Sequence, residues 1–414
     1  MTKANDPMIL RAKYVLPMDR APIEDGAVAI EGNTIVAVGK TADVRAAHAG
    51  EIRDLGERVL APGLINAHCH LDYTRLRGEV EWRGSFTEWL VQLVAAKQLH
   101  PEKEYVGGIQ MGLDMLMRTG TTTVVNIESF PKFIDEIAPP RLRVWWCLEM
   151  IDFNRAEGAR EVAAQALEFI AAHSNPRGGF GFSPHAPYTV TPALYRLCGQ
   201  YARGRNIPLT THLAESEEED DMFRRGTGQM YDSFLRLGRD MSDCKHVSPT
   251  QLLSECGVLG PNCLAVHANY LTPLDVTLLK QTGTHVVHCP KTHRFFGRGS
   301  PLLDTWRENR INACLGTDSM ASNDTLSMLE EMQTLSHMFP RKSAQELLAL
   351  ATINGAKALN LREKLGHIGV GAWADLIAAP VDGVGGDPYE AIVYADKQVS
   401  FSMVDGEVVF DEAR

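Results

Sequence analysis

The chain of 414 residues is 44% hydrophobic and 22% charged, and its formal net charge at neutral pH is −11. This composition is ordinary for a globular protein and excludes a largely disordered chain. The length accommodates one α/β barrel, which takes about 250 residues, and a smaller companion domain. Because nucleic acids and anionic membranes both bind clustered Lys and Arg, the acidic excess makes us expect neither as a partner.

The eight cysteines form no Cys-x-x-Cys pair, and several lie within apolar runs, as Cys147 does. This usage predicts reduced thiols in the protein core rather than disulfides or a metal knuckle. The first residues lack the apolar segment of a signal peptide, and no run approaches the roughly 18 apolar residues of a membrane span. We therefore expect a cytoplasmic protein.

Residues 8–60 have the pattern of short strands, with turn signals at Asp25-Gly26 and Gly32-Asn33. From Val59 to about residue 360, short apolar runs alternate with longer amphipathic helical patterns. Eight such runs are predicted as strands: Val59–Asn66, Thr122–Ile127, Arg143–Met150, Gly179–Ser183, Ile207–Thr211, Cys263–Val266, His285–Val287 and Ile311–Leu315. The alternation predicts a parallel sheet with crossover helices, and eight units favour a (β/α)8 TIM-type barrel over an open doubly wound sheet.

Strand patterns return after residue 365, with Asp405-Gly406 as a hairpin turn between two of them. We expect both chain ends to form a small β-sandwich domain that flanks the barrel. The predicted boundaries assign residues 1–60 and 362–414 to this small domain and residues 61–361 to the barrel.

Side chains that bind metals follow several of the predicted strands. His68-Cys69-His70 comes after the first strand, and residues i and i+2 of a strand point the same way. Further candidates follow later strands: His185, His212, His267 and Asp318. In a barrel such positions converge on one face, where active sites lie. A lone His-x-His is a weak signal, but this recurrence predicts a metal site.

Two of the acidic candidates have structural alternatives. Asp318 could cap the following helix, although Ser322 and Asn323 lie nearer its probable start. Glu215, three residues after His212, is either a first-turn glutamate that complements a helix dipole or a proton shuttle beside the metal. We favour the shuttle for Glu215, and we expect the later members of the acidic run Glu215–Asp221 to form a solvated helix face.

Several blocks resemble the amidohydrolase superfamily, and most closely its nucleobase and nucleoside deaminase branch. They are Gly26–Gly39, Pro62–Leu71, Pro184–Thr189, His212–Ser216, Gly316–Asn323, Ala351–Ala356 and Ala374–Leu376. The resemblance implies that one Zn²⁺, or alternatively Fe²⁺, is bound by His68, His70, His212 and Asp318. It further implies that Glu215 is the acid/base, that His267 contacts the attacking water and that His185 touches the substrate. The third and fourth strands contain no lysine for a bridging carbamate, which weighs against a two-metal site.

Further residues are predicted to contact the substrate. Ser85–Leu90 resembles a block that, in methylthioadenosine-type enzymes, precedes a ribose-binding glutamate, and Gln98 stands at that glutamate's position. Trp89 and its neighbours Trp82 and Phe86 either wall the pocket or belong to the core. Ser319 follows the aspartate ligand. The segment after the seventh strand contains three basic residues, Lys291, His293 and Arg294. They either contact an acidic group of the substrate or are solvent-facing or structural. We place Arg294 among the predicted substrate-binding residues.

The leading functional hypothesis is hydrolytic deamination of an aminopurine nucleoside or a related small aminated heterocycle, of the aminodeoxyfutalosine or methylthioadenosine/adenosylhomocysteine type. The first alternative is a chlorohydrolase or cyclic-amide hydrolase that uses the same mononuclear site. The second alternative is a non-catalytic metal-binding protein, against which the presence of Glu215 and His267 argues. The sequence leaves a homodimer or a higher homo-oligomer open.

Overall fold

A computed structural model describes residues 8–155, 158–205, 207–245, 247–381, 386–396 and 398–412. The chain begins with five strands that belong to a sheet formed by the chain ends: β1 (Met8–Val15), β2 (Ile23–Glu31), β3 (Thr34–Lys40), β4 (Glu51–Asp54) and β5 (Arg58–Pro62). Strands β1, β2 and β3 pair antiparallel. Gly32-Asn33 forms the predicted turn between β2 and β3, whereas the predicted turn at Asp25-Gly26 is wrong, because both residues lie within β2.

The nine strands that follow pair in parallel: each of the first eight pairs with its neighbour along the chain, and the ninth pairs with the first. They are β6 (Leu64–His70), β7 (Thr121–Glu128), β8 (Arg143–Met150), β9 (Gly179–Pro184), β10 (Leu209–Leu213), β11 (Cys263–His267), β12 (His285–His288), β13 (Ala313–Leu315) and β14 (Asp318–Ser319). All residues of β6, β7, β10, β11 and β12 are buried, as in parallel sheets that are covered on both faces. Each of the eight predicted runs contributes a barrel strand. The first run, Val59–Asn66, is divided, because Val59–Pro62 belongs to β5 of the sheet of the chain ends and only Leu64–Asn66 to β6.

The sheet curls into a barrel because its last strand returns to its first. Strands β13 and β14 are separated only by Gly316 and Thr317, and Asp318 of β14 pairs with Cys69 of β6. A Cβ atom on Gly316 would lie 2.8 Å from the Cβ of His68, so only glycine permits this close approach. The TIM-type (β/α)8 prediction is confirmed, with its last strand divided in two.

The chain end adds β15 (Leu376–Pro380), β16 (Phe401–Val404) and β17 (Glu407–Asp411) to the sheet of the chain start. Strand β5 is the junction, because it pairs parallel with β1 and antiparallel with β15. The two chain ends therefore form the expected small β domain beside the barrel, and their strands belong to one mixed sheet. The predicted domain boundaries near residues 60 and 361 stay a prediction.

Helices follow most barrel strands and cover the outside of the barrel. The helices are α1 (Thr41–Ala47), α2 (Phe86–Leu99), α3 (Glu102–Arg118), α4 (Gly158–Ala172), α5 (Pro192–Arg205), α6 (Glu217–Arg225), α7 (Gln229–Arg236), α8 (Pro249–Glu255), α9 (Pro273–Thr282), α10 (Pro290–Phe295), α11 (Leu303–Glu308), α12 (Met328–Met338), α13 (Ala344–Leu350), α14 (Ile353–Ala358) and α15 (Pro388–Val393), with short 3-10 helices at Leu71–Leu76 and Pro131–Glu136. The helix after the last strand begins later than expected: Ser327, rather than Ser322 or Asn323, accepts the N-cap hydrogen bond from Glu330 N.

The cysteine prediction is confirmed, since all eight cysteines are free and buried. Burial raises the pKa of the Cys263 and Cys314 thiols to about 12, which keeps these thiols protonated and unreactive. Among the described residues, no helix combines the length and the apolar character needed to cross a membrane.

A buried ion pair joins the barrel to the sheet of the chain ends. Arg143, at the start of β8, is 4% exposed and donates from Nε to Asp375 Oδ2 at 2.7 Å. Its Nη2 donates to Asp405 Oδ1 at 2.6 Å, in the turn between β16 and β17. Asp375 also accepts a hydrogen bond from the backbone N–H of Asp405. One guanidinium thus holds two segments of the end sheet against a barrel strand.

We expect Arg143→Met to lower the free energy of unfolding by about 3–5 kcal/mol, because it leaves the Asp375 carboxylate buried without its cation. The measurement is urea denaturation followed by circular dichroism, with Arg307→Met, an exposed arginine of α11, as the matched control. Metal content should not change, since Arg143 belongs to the barrel–sheet junction. Equal stability of the two variants would contradict a structural role for this ion pair.

Candidate metal centre and catalytic site

Four side chains from three barrel strands meet at one end of the barrel. His68 and His70 lie on β6, His212 on β10 and Asp318 on β14, and one ligand atom from each lies within 4.8 Å of the others. Asp318 Oδ1 is 3.6 Å from His68 Nε2 and 3.7 Å from His70 Nε2. The structure therefore brings together all four predicted ligands.

The unpaired atoms of this cluster fit a divalent cation. The Nε2 atoms of His70 and His212 face each other at 3.3 Å, and both ring nitrogens of His68 are buried without a hydrogen-bond partner. Burial lowers the pKa of His70 to about 3 and that of His212 well below its usual value, so both imidazoles are neutral. Neutral imidazoles with free lone pairs and one carboxylate are a donor set that zinc and similar ions prefer.

Neighbouring groups orient the ligands. His212 Nδ1 lies 2.9 Å from the carbonyl oxygen of His185 and donates to it, which leaves Nε2 for a metal. Asp318 Oδ1 accepts from the backbone N–H of Ser319 at 2.8 Å, and Oδ2 accepts from Ser322 Oγ at 3.3 Å. Burial alone would raise the pKa of Asp318, but the neighbouring His68 holds it well below its usual value, so Asp318 is ionised. Asp318 is not the cap of α12.

The backbone is strained at the C-terminal ends of three barrel strands, next to the ligand cluster. Ala214, His267 and Asp318 have φ angles of 48°, 73° and 60°, in the left-handed region that residues other than glycine rarely adopt. Each such residue costs on the order of 1–2 kcal/mol, and strain of this kind clusters at functional sites. The turns after β10, β11 and β13 therefore fix side-chain directions at the expense of stability.

Glu215 and His267 lie beside the ligand cluster. His267 Nε2 is 3.7 Å from Glu215 Oε1 and 3.9 Å from Asp318 Oδ2, and it is buried without a hydrogen-bond partner. Burial lowers the pKa of His267 to about 3. Burial raises the pKa of Glu215 well above its usual value, while Arg298 opposes that shift. Helix α6 begins only at Glu217, so Glu215 precedes the first helical turn.

Glu219 is a supporting residue that the sequence did not reveal. Its side chain is fully buried and accepts from the backbone N–H groups of Ala214, at 3.1 Å, and Glu215, at 2.7 Å. Its neighbour Glu218 accepts from the backbone of Phe86 and Thr87 at the start of α2. The prediction of a solvated face for this acidic run is therefore wrong for Glu218 and Glu219, which fix local backbone geometry.

Two of the predicted substrate-binding residues, His185 and Ser319, lie near the cluster, and a third, Trp89, is buried among aromatic side chains. The ring of His185 is 4.8 Å from that of His212, and Ser319 is buried next to Asp318. Trp89 is 6% exposed, and its Nε1 is buried with no hydrogen-bond partner. Its ring is 5.0 Å from that of Phe296, so Trp89 belongs to an aromatic cluster between α2 and α10.

The structure does not bring Gln98 to the cluster. Gln98 is exposed on α2, whereas the preceding Lys97 turns inward and donates to Tyr73 Oη. Arg294 is likewise exposed and lines a cavity of about 390 Å³ beside Ser322. Gln98 is exposed because of the register of helix α2, whose buried face carries Trp89, Leu93 and Ala96.

The other two basic residues predicted after β12, Lys291 and His293, have partners within the protein. Lys291 is buried and its Nζ pairs with Asp324 and Glu330. His293 is hydrogen-bonded to Asn269 Oδ1 at 3.1 Å and to the carbonyl of Gly299. Arg298, which the sequence analysis did not single out, instead reaches the catalytic region: its Nη2 lies 3.7 Å from Glu215 Oε1. No periodic pattern in the loop distinguishes Arg298 from its neighbours.

Comparison with known proteins agrees with this architecture. Residues 59–409 match the family model described as "Amidohydrolase family". A 5-methylthioadenosine/S-adenosylhomocysteine deaminase of Pyrococcus furiosus is 32% identical over 384 residues, which cover 89% of this chain and 85% of the relative. The chain therefore belongs to the amidohydrolase family. It is an enzyme, a hydrolase that acts on carbon–nitrogen bonds other than peptide bonds.

Two further similar proteins are also named as deaminases. An aminodeoxyfutalosine deaminase of Deinococcus radiodurans is 28% identical over 350 residues, which cover 81% of this chain and 82% of the relative. The crystal structure of an adenosine deaminase from Xanthomonas campestris with bound zinc superposes with a TM-score of 0.84 at 26% identity, covering 98% of this chain and 93% of the other. The resemblance drawn from the sequence blocks is confirmed.

Proposed function

We propose that this enzyme deaminates an aminopurine nucleoside-like substrate, of the aminodeoxyfutalosine or methylthioadenosine/adenosylhomocysteine type, and releases ammonia. Zinc is the proposed ion at His68, His70, His212 and Asp318, with Fe²⁺ as the alternative. The observation that carries the proposal is the juxtaposition of this ligand cluster with Glu215 and His267. The names of the relatives from Pyrococcus and Deinococcus support it.

The reaction exchanges an amino group for an oxygen: water attacks the ring carbon, the C–N bond breaks, and ammonia leaves. A divalent ion with an open coordination position, when bound, lowers the pKa of water to about 7 and so supplies hydroxide at neutral pH. Asp318, ionised in the structure, accepts a proton from the attacking water. His267, neutral and with a free Nε2, holds that water beside the cluster.

Glu215 is assigned the proton transfers to the substrate. Burial raises the pKa of Glu215 well above its usual value, which favours the protonated carboxyl group that a general acid requires. Glu215 protonates a ring nitrogen as the tetrahedral centre forms, and the resulting carboxylate takes the proton from the hydroxyl of that centre and carries it to the leaving amine. The proton held by Asp318 then restores the protonated form of Glu215. Glu219 positions this side chain through the backbone N–H of Glu215.

Trp89 is assigned to the wall of the substrate site. Its buried Nε1–H has no partner in the structure, and a buried donor without an acceptor costs about 1–3 kcal/mol. An acceptor atom of a purine or ribose would remove that cost, and the indole face offers stacking to a flat heterocycle. His185 and Ser319, which lie close to the ligands, are the other proposed substrate contacts.

The test is ammonia release by the zinc-loaded enzyme from a panel of aminodeoxyfutalosine, methylthioadenosine, adenosylhomocysteine, adenosine, guanine and cytosine. We expect release from at least one nucleoside of the panel, and we expect a chelator to abolish it and added zinc to restore it. Turnover of chlorinated triazines and of cyclic amides is measured in parallel. If the enzyme contains metal but releases no ammonia from the amino substrates, and if it releases chloride or opens a cyclic amide instead, the deaminase proposal is refuted.

A further inference from the structure

Arg298 lies on the loop after α10, and its side chain is 6% exposed. Its guanidinium carbon lies 4.9 Å from the ring centroid of Phe296 and 5.4 Å from that of Phe86. The ring of Tyr270 lies 5.8 Å away. The cation is thus enclosed by aromatic rings on the side of the catalytic cluster that holds Glu215.

The hydrogen-bonding capacity of this guanidinium is not satisfied. Its Nη2 is buried without a hydrogen-bond partner, and its ion-pair contact, with Glu215 Oε1, spans 3.7 Å. That separation is longer than a hydrogen bond. A buried guanidinium is costly unless an anion accepts its N–H groups in good geometry. Contacts with ring faces compensate only part of this cost.

The other inward-facing cations have acidic neighbours of their own. Lys291 is neutralised by Asp324 and Glu330. The charge of Lys97 acts on two buried carboxyl groups, those of Asp72 and Glu149. The charge of Arg298 acts on Glu215 and Glu219. The Glu219 carboxylate accepts from the backbone N–H groups of Ala214 and Glu215 instead. The contact between Arg298 and Glu215 is too long for a hydrogen bond, so the buried Nη2 of Arg298 has no acceptor among the described residues.

We infer that Arg298 is a specificity-determining residue that binds a carboxylate of the substrate through its free Nη2, so that the preferred substrate is an acidic nucleoside. This inference rests on the proposed deaminase function and narrows its substrate class. A carboxylate would complete the buried ion pair with charge-assisted hydrogen bonds, which are the strong ones for arginine. Substrates without that group would leave Arg298 unpaired and would be discriminated against.

The experiment compares adenine nucleosides that differ only in charge. One pair is adenosine-5′-carboxylate and its carboxamide, and the second pair carries a carboxyphenyl or a carbamoylphenyl group at C5′, which extends the reach. For the wild-type enzyme we expect kcat/KM to favour the acid of at least one pair by about 100-fold or more. Arg298→Met should bring the ratio of kcat/KM for the acid to that for the amide close to one, while Arg298→Lys should recover part of the preference.

Arg307→Met, which removes an exposed arginine, is the matched control and should retain the wild-type preference. Equal kcat/KM for acid and amide in both pairs would overturn the inference. So would an equal loss on acid and amide in Arg298→Met with a shifted pH profile, because Arg298 would then act only through Glu215.

Binding separates this inference from the proposed function. The deaminated counterparts, the inosine carboxylates and carboxamides, are titrated calorimetrically into zinc-loaded wild type and Arg298→Met. An acid preference of tenfold or more that Arg298→Met removes supports the carboxylate site, even if no adenine nucleoside is deaminated and the proposed function fails. Absence of any preference in wild type overturns the carboxylate site, whether or not ammonia is released.

Discussion

Replacing Asp318 by Ala should remove metal binding and activity together. Asp318 is the only carboxylate of the predicted ligand set, and it joins the last barrel strand to His68 and His70 of the first. Loss of partners that merely orient a metal ligand costs 10–100-fold in affinity, so loss of a ligand itself should raise the Kd for zinc by at least about 100-fold. Activity should fall to the background of the assay, because the hydroxide source is lost with the ion.

The measurement is zinc content after dialysis against a weak chelator, together with ammonia release. Asp304→Asn, which alters a half-exposed carboxylate of α11, is the control and should behave as wild type. His68→Ala and His212→Ala should reproduce the Asp318→Ala result. Full metal retention by all three variants would show that this cluster is not the metal centre.

Replacing Glu215 by Gln should separate metal binding from turnover. The carboxyl group is outside the ligand cluster, so zinc content should stay at the wild-type level. General acid/base groups typically contribute 10²- to 10⁴-fold, and we expect kcat to fall by about 10³-fold. Gln keeps the size and the hydrogen-bonding capacity of the side chain but cannot exchange a proton.

Glu217→Gln is the matched control for that experiment, since Glu217 is the exposed member of the same acidic run. Its kcat should be unchanged. A fully active Glu215→Gln enzyme would disprove the acid/base assignment, whereas loss of zinc from this variant would place Glu215 among the ligands.

The barrel could be predicted because its strands are buried on both faces and therefore appear in the sequence as short apolar runs between helical patterns. Structural details that depend on contacts between distant segments could not be predicted. The Gly316-Thr317 interruption of the last strand reflects the close approach of Gly316 to His68. The later start of α12 has a similar cause: Ser322 binds Asp318, and Asn323 donates to Thr317 and Glu331, so neither is free to cap the helix.

The ligand cluster was predictable for a topological reason, since parallel strands deliver their C-terminal residues to one face of the barrel. The residues around it were less accessible to sequence reasoning. Glu219 lies in a run of acidic residues, and composition alone cannot tell which of them turns inward. Arg298 lies in a loop whose sequence has no periodic pattern. Its guanidinium contacts the nearby Phe296 and also Phe86, which comes from a distant part of the chain.

Closure of the barrel by β14 also affects how the protein matures. During synthesis the ribosome releases His68 and His70 early, His212 near the middle and Asp318 only after most of the barrel has emerged. A nascent chain therefore offers an incomplete and weakly binding site, and the full donor set exists only when the last strand pairs with the first. The proposed metal site is therefore completed only together with the barrel, and we expect a chain truncated before residue 318 not to retain an ion.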